Sequence, residues 1–135
     1  MNRMLLALLA AALAFACAAC AGTPHGARTA PGAKAMPIEF LGFPGCPNTP
    51  TMRRNLTEAL RTIDPSLRFD DVNQERLPPS DVRRGYPTPT VLVNGADLYG
   101  LPVPAGPAMG CRLYPDGVPT AADIASRLHK RLVGQ

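Results

Sequence analysis

Gly42-Phe43-Pro44-Gly45-Cys46-Pro47-Asn48-Thr49-Pro50 is a turn that holds a single cysteine between a strand-like run and a helix-like run. Upstream, Met36-Pro37-Ile38-Glu39-Phe40-Leu41 is short and mostly apolar, and with Ile38, Phe40 and Phe43 as its large side chains it predicts a β-strand. Downstream, Met52, Leu56, Leu60 and Ile63 recur at steps of four, four and three, which is one face of a helix running from Thr51 to Ile63. Thr49 and Pro50 supply an N-cap and a first-turn proline, and Cys46 and Pro47 offer the same pair one turn earlier. In either case Cys46 sits at or just before a helix N-terminus, where unpaired N–H groups and the positive end of the helix dipole favour an anion such as a thiolate. The competing reading is a small buried cysteine without chemistry.

The chain of 135 residues has room for one domain, and its first stretch lies outside that domain. Met1-Asn2-Arg3 is a short basic segment, and Met4 to Ala16 is an unbroken apolar run of 13 residues, too short to span a bilayer and suited to the core of a signal peptide. We therefore expect residues 1–19 to direct export. Ala18-Ala19-Cys20 resembles the lipobox of bacterial lipoproteins, with Cys17 where a leucine is usual, so Cys20 is the expected lipidated residue. Simple cleavage after Ala21 is the alternative. On the lipoprotein reading the protein is anchored to a membrane through its N-terminal lipid and faces the periplasm or the cell exterior.

From Ala21 to Ala35 no large apolar residue occurs. Residues 20–35 then form a lipidated cysteine and a flexible tether, and a coil of about 15 residues spans on the order of 20 Å. His25 lies alone within it, as a solvated side chain rather than a metal ligand. The formal net charge of +4 includes Arg3 of the leader, and the remaining charges are scattered, so no nucleic-acid surface is expected. A monomer is expected.

Residues 36–135 make up the folded domain. After the first helix, Asp64-Pro65-Ser66 breaks the pattern and Leu67 to Val72 alternates as a strand; following a strand and helix, it should pair in parallel through a right-handed crossover. Asn73 to Gly85 is polar and interrupted by Pro78-Pro79, with a short helix around Ser80 to Arg84. Its Arg76, Arg83 and Arg84 read as a solvated face. Thr90 to Val93 is a buried-strand run, and Asn94-Gly95 predicts a tight hairpin returning over Ala96 to Tyr99. Pro89, at the start of that strand, is a candidate for a cis peptide. Thr120 caps a last helix with Asp123 in its first turn and Ile124, Leu128 and Leu132 as its apolar stripe, beside which His129 interacts with the C-terminal dipole.

The order strand, helix, strand, short helix, strand, strand, helix, with a cysteine at the first strand-to-helix turn and Thr88-Pro89-Thr90 opening a later strand, resembles the thioredoxin-like α/β fold with a central mixed sheet. More narrowly, Phe43-Pro44-Gly45-Cys46-Pro47-Asn48, Pro89-Thr90-Val91-Leu92-Val93-Asn94-Gly95 and Cys111-Arg112-Leu113-Tyr114 resemble small bacterial thioredoxin-like proteins, some of them labelled alkylmercury lyases. The resemblance implies that cis-Pro89 lies against the reactive sulfur of Cys46. It also implies that a partner is held by backbone pairing at Thr88, next to Pro89 and Pro47. Thioredoxins carry a second cysteine three residues after the first, where this chain has Thr49; its hydroxyl is expected to hydrogen-bond the thiolate. Cys111 then becomes the expected resolving sulfur, brought to Cys46 by a Pro- and Gly-rich segment, Leu101 to Gly110, that acts as a lid or wall.

Three functions are compatible with these residues. One is thiol–disulfide exchange with protein thiols and disulfides or a small thiol, using Cys46, Cys111 and Thr49. A second is capture of a soft metal such as Hg(II) or Cu(I) by Cys46 and Cys111, with Asp97 or Asp116 as proton donor if a carbon–mercury bond is cleaved. The third is an inert tethered domain in which Cys46 and Cys111 form a permanent staple. The sequence has neither a Gly-rich phosphate loop nor a His/Cys cluster at zinc spacing, and no cofactor is expected.

Overall fold

The structure, a computed structural model, describes residues 36–134. The expected leader, Cys20 and the tether lie outside the described residues. Strand β1 (Ile38–Gly42) leads through the Cys46 turn into helix α1 (Thr49–Ile63), followed by β2 (Asp70–Asn73), two single 3₁₀ turns (Gln74–Arg76 and Val82–Gly85), β3 (Thr90–Val93), β4 (Ala96–Asp97) and helix α2 (Ala121–Val133). The fold is α/β. Its four strands form one mixed sheet in the order β2-β1-β3-β4, with β1 parallel to β2, and β3 antiparallel to both β1 and β4.

Side chains alternate across this sheet as strand geometry requires. Ile38 and Phe40 of β1 and Val91 and Val93 of β3 meet Met52, Leu56, Ala59 and Leu60 of α1 and Ile124 and Leu128 of α2 in the main core. Among the described residues no α-helix contributes to the core on the opposite face. There Leu41 and Leu92 pack with Tyr86, Val72 and Leu101, so irregular chain does the covering.

Several elements are displaced from their expected places. Helix α1 begins at Thr49 behind Asn48, which makes no side-chain cap; Pro50 lies in the first turn, and Thr49 is helical instead of capping. Strand β2 starts at Asp70, because Asp64 ties up the preceding residues: its carboxylate accepts from Ser66 N–H (2.7 Å) and its carbonyl from Leu67 N–H (3.0 Å). Leu67 and Phe69 still pack on the core, which accounts for their apolar spacing. The single short helix is replaced by two 3₁₀ turns joined by Gln74, whose buried amide donates to the carbonyls of Arg83 (2.6 Å) and Tyr86 (2.9 Å).

The hairpin forms as expected, with positive φ at both Asn94 (52°) and Gly95 (78°). Strand β4 is only two residues long; Leu98 N–H still donates to the Val91 carbonyl of β3 (2.9 Å), and beyond it the N–H groups of Tyr99 (3.0 Å) and Leu101 (2.9 Å) turn to the Asp97 carboxylate in place of the ladder. Helix α2 is capped by Thr120, which accepts from Asp123 N–H, and His129 is exposed on it. Arg83 is not a solvated charge: it reaches Asp81 (2.7 Å) and Glu39 (2.6 Å).

The segment from Leu101 to Gly110 is irregular and closes over Gly85. A Cβ at Gly85 would lie 2.3 Å from the Gly106 carbonyl oxygen and 2.4 Å from Pro104 Cβ, so the contact is backbone against backbone and cannot be relieved by a rotamer change. Gly85→Ala should therefore destabilise the domain by about 1–3 kcal/mol in urea unfolding and loosen the 101–110 segment, read as faster proteolytic cleavage there. A fully stable variant with an unchanged cleavage pattern would refute the tight approach.

Candidate thiol site

Residues 43–49 wind tightly enough to fix one sulfur. The Phe43 carbonyl accepts from Cys46 N–H (3.2 Å) and from the Thr49 hydroxyl (3.3 Å), and the Cys46 carbonyl accepts from Thr49 N–H (3.1 Å). Thr49 thus spends its hydroxyl on the turn and not on the Cys46 sulfur, contrary to expectation. Cys46 lies three residues before the first residue of α1, and only 1% of it is exposed. Its thiol donates to the Thr88 carbonyl oxygen at 3.3 Å. Thr88 and Pro89 are joined by a cis peptide bond and both are buried, whereas Pro47 is exposed.

Cys111 reaches the same place. It lies opposite Thr88 in an isolated parallel bridge: Thr88 N–H donates to the Gly110 carbonyl (2.8 Å) and Arg112 N–H donates to the Thr88 carbonyl (2.7 Å). Both backbone groups of Thr88 are therefore used within the chain. The expected pairing of a partner strand at Thr88 has no free donor or acceptor to use.

Cys46 and Cys111 are free thiols whose side chains lie within hydrogen-bonding reach of each other. Their exposures are the reverse of what a nucleophile at Cys46 and a resolving sulfur at Cys111 would suggest, for Cys111 is exposed and Cys46 is not. The Cys111 thiol is held above the ordinary thiol range, first by its hydrogen bond with Cys46, then by desolvation and by negative charge on Cys46.

Arg112, the residue after Cys111, carries no local sequence signal beyond the Cys111-Arg112-Leu113-Tyr114 motif, and its role comes from the fold. Arg112 is buried, and its guanidinium makes a two-pronged pair with Asp97, Nη1 to Oδ1 at 2.7 Å and Nη2 to Oδ2 at 3.1 Å. Nη1 also donates to the Thr90 hydroxyl (3.0 Å). The guanidinium carbon lies 4.5 Å from the Tyr114 ring centre and 5.5 Å from that of Tyr99. The Tyr114 hydroxyl donates to the Pro89 carbonyl (2.8 Å), which ties this cluster to the cis-proline turn. Burial pushes the phenols of Tyr99 and Tyr114 well above their usual range, so both stay neutral donors.

Asp97 therefore serves as the counter-ion of Arg112 and as acceptor for two backbone N–H groups. Each of its oxygens is occupied, which removes it as a proton donor. Asp116 is exposed in the turn from Tyr114 to Gly117. Among the described residues no group of three or more His, Cys, Asp or Glu side chains converges as a metal site, and no helix is long and apolar enough to cross a membrane. No family model matches the chain, and no curated protein or solved structure matches it significantly.

Two outcomes test this geometry. Asp97→Ala leaves a buried guanidinium uncompensated, so stability should fall by about 3–5 kcal/mol in urea unfolding; a loss below about 1 kcal/mol would mean that Arg112 is not held as described. Cys46→Ala removes the first and last of the causes that raise the Cys111 pKa. Iodoacetamide labelling of Cys111 should then reach half its maximal rate at a lower pH than in the reduced parent protein. An unchanged midpoint would show that the two sulfurs do not communicate.

Proposed function

We propose that this chain is an exported, thioredoxin-like thiol–disulfide exchange protein, tethered to a membrane through Cys20, in which Cys46 and Cys111 alternate between two thiols and one disulfide. The observation that carries this reading is the meeting of the two sulfurs, far apart in sequence, beside the cis peptide of Thr88 and Pro89. The strand order β2-β1-β3-β4, with the cysteine turn between β1 and α1, supports the thioredoxin-like assignment. Partners are protein thiols and disulfides or a small thiol. Forming the Cys46–Cys111 bond delivers two electrons and two protons to a partner disulfide, and the reverse step accepts them.

Soft-metal capture is the second reading. It is favoured by the same two facing thiols, an arrangement that suits a two-coordinate ion such as Cu(I) or Hg(II). Cleavage of a carbon–mercury bond loses support with Asp97, whose oxygens are all engaged.

The test is intact-mass thiol counting on the full chain across a series of reduced-to-oxidised glutathione ratios. Reversible interchange of both thiols with one disulfide is the expected result, and the oxidised form should be more stable by about 4 kcal/mol because the bond closes a long loop. Two thiols that never pair, or a disulfide that opens only on denaturation, would defeat the exchange reading. Tight uptake of one Cu(I) per chain by thiols that resist oxidation would put metal capture in its place.

A further inference from the structure

We infer that exchange partners meet this protein at Cys111, with Cys46 as the sheltered sulfur, and that the partner is an accessible thiol rather than a polypeptide strand laid along Thr88. The inference rests on the exchange reading above and adds to it the point of entry. Three independent features of the site support it.

The first is access. Thiol–disulfide exchange requires in-line approach to the sulfur under attack. Cys46 is 1% exposed beneath its neighbours, whereas Cys111 is open to solvent. The second is occupancy. The edge at Thr88 where a partner strand would pair is filled by Gly110 and Arg112 of the chain itself, with Cys111 between them.

The third is anchorage. Residues 109–113 alternate, with Arg112 buried in its ion pair while Met109, Cys111 and Leu113 face outward. Burying the one charge fixes which side of this segment the thiol occupies. Lifting this segment from Thr88 to make room for a partner strand would draw Arg112 away from Asp97, Thr90 and the two tyrosines.

The step can be written from the oxidised protein, formed beforehand by a disulfide-bearing oxidant. A partner thiolate attacks Cys111 Sγ; a bond forms between those two sulfurs, the Cys46–Cys111 bond breaks, and its electron pair leaves on Cys46 Sγ. A second thiolate attacks the partner sulfur of this mixed disulfide, releasing Cys111 as a thiolate; the Cys46 and Cys111 thiolates take up, through water, the two protons that the partner thiols gave up on ionising. The two partner thiols end as a disulfide, and the protein disulfide has gained two electrons.

Glutathione is a suitable probe. The oxidised full-length protein is mixed with reduced glutathione, quenched with acid within the first turnover and digested, and the adduct is located by mass spectrometry. The adduct is expected on Cys111. In parallel, the reduced Cys46→Ser and Cys111→Ser variants are exposed to oxidised glutathione. Cys111 in the first should form its adduct more than about tenfold faster than Cys46 in the second, and the two rates should converge in urea, where access no longer differs. An adduct on Cys46 in the parent protein, or equal rates in the folded variants, would overturn the inference while leaving exchange intact. No adduct on either cysteine in any of the three proteins would overturn the exchange reading, and this inference with it.

Discussion

The buried pair between Arg112 and Asp97 is the constraint on which the site depends. Its value lies less in net stability than in specification. Desolvating two charges offsets most of their attraction, and a matched apolar pair can do as well, but an unmatched buried charge is prohibitive. Only one register of residues 109–113 against Thr88 gives Arg112 its carboxylate. A slip by one residue would turn the guanidinium outward and Cys111 inward, since alternate residues of an extended segment face opposite ways. The ion pair therefore positions a sulfur that it does not touch.

The remainder of the molecule supplies two fixed frames for this contact. On one, the helical face of the sheet buries Phe40, Met52, Leu56, Val91, Ile124 and Leu128 and holds the β1–α1 turn with Cys46. On the other, Leu41, Tyr86 and Leu92 form a smaller apolar patch beneath irregular chain. Asp97, the last residue of β4, accepts from the Tyr99 and Leu101 N–H groups and pairs with Arg112, the residue after Cys111. The sheet is small, and its shortest strand carries the most consequential side chain.

Much of this was legible in the sequence. Helix stripes at Met52-Leu56-Leu60 and Ile124-Leu128 reported a periodicity that only packing on one face explains. Asn94-Gly95 reported a backbone that few other dipeptides adopt. What could not be read were the terms set by distant residues. The alternation of Leu67 and Phe69 was real, but the hydrogen bonds of Asp64 decided that no strand begins there. Thr49 looked like a cap or a thiolate donor, and the nearness of the Phe43 carbonyl determined otherwise. Arg112 and Asp97 are separated by a proline-rich run without periodicity, so nothing local signals that they meet, and with that meeting hidden, so were the filling of the Thr88 edge and the reversed exposure of the two cysteines.

The uneven covering of the sheet has a consequence for how the molecule fluctuates. Amides of β1 and β3 lie between paired strands, and their exchange with solvent requires an opening close to global unfolding. The segment from Leu101 to Gly110 lies outside the ladder and is tied back by bonds such as Ala108 N–H to the Arg84 carbonyl and Thr88 N–H to the Gly110 carbonyl, and irregular chain held by so few bonds is expected to open at lower cost than a central strand. Cys46 follows β1, and Cys111 follows this segment. A covalent bond between the two sulfurs would fasten the end of the segment to the turn after β1, so oxidation of the pair would be expected to damp its local opening.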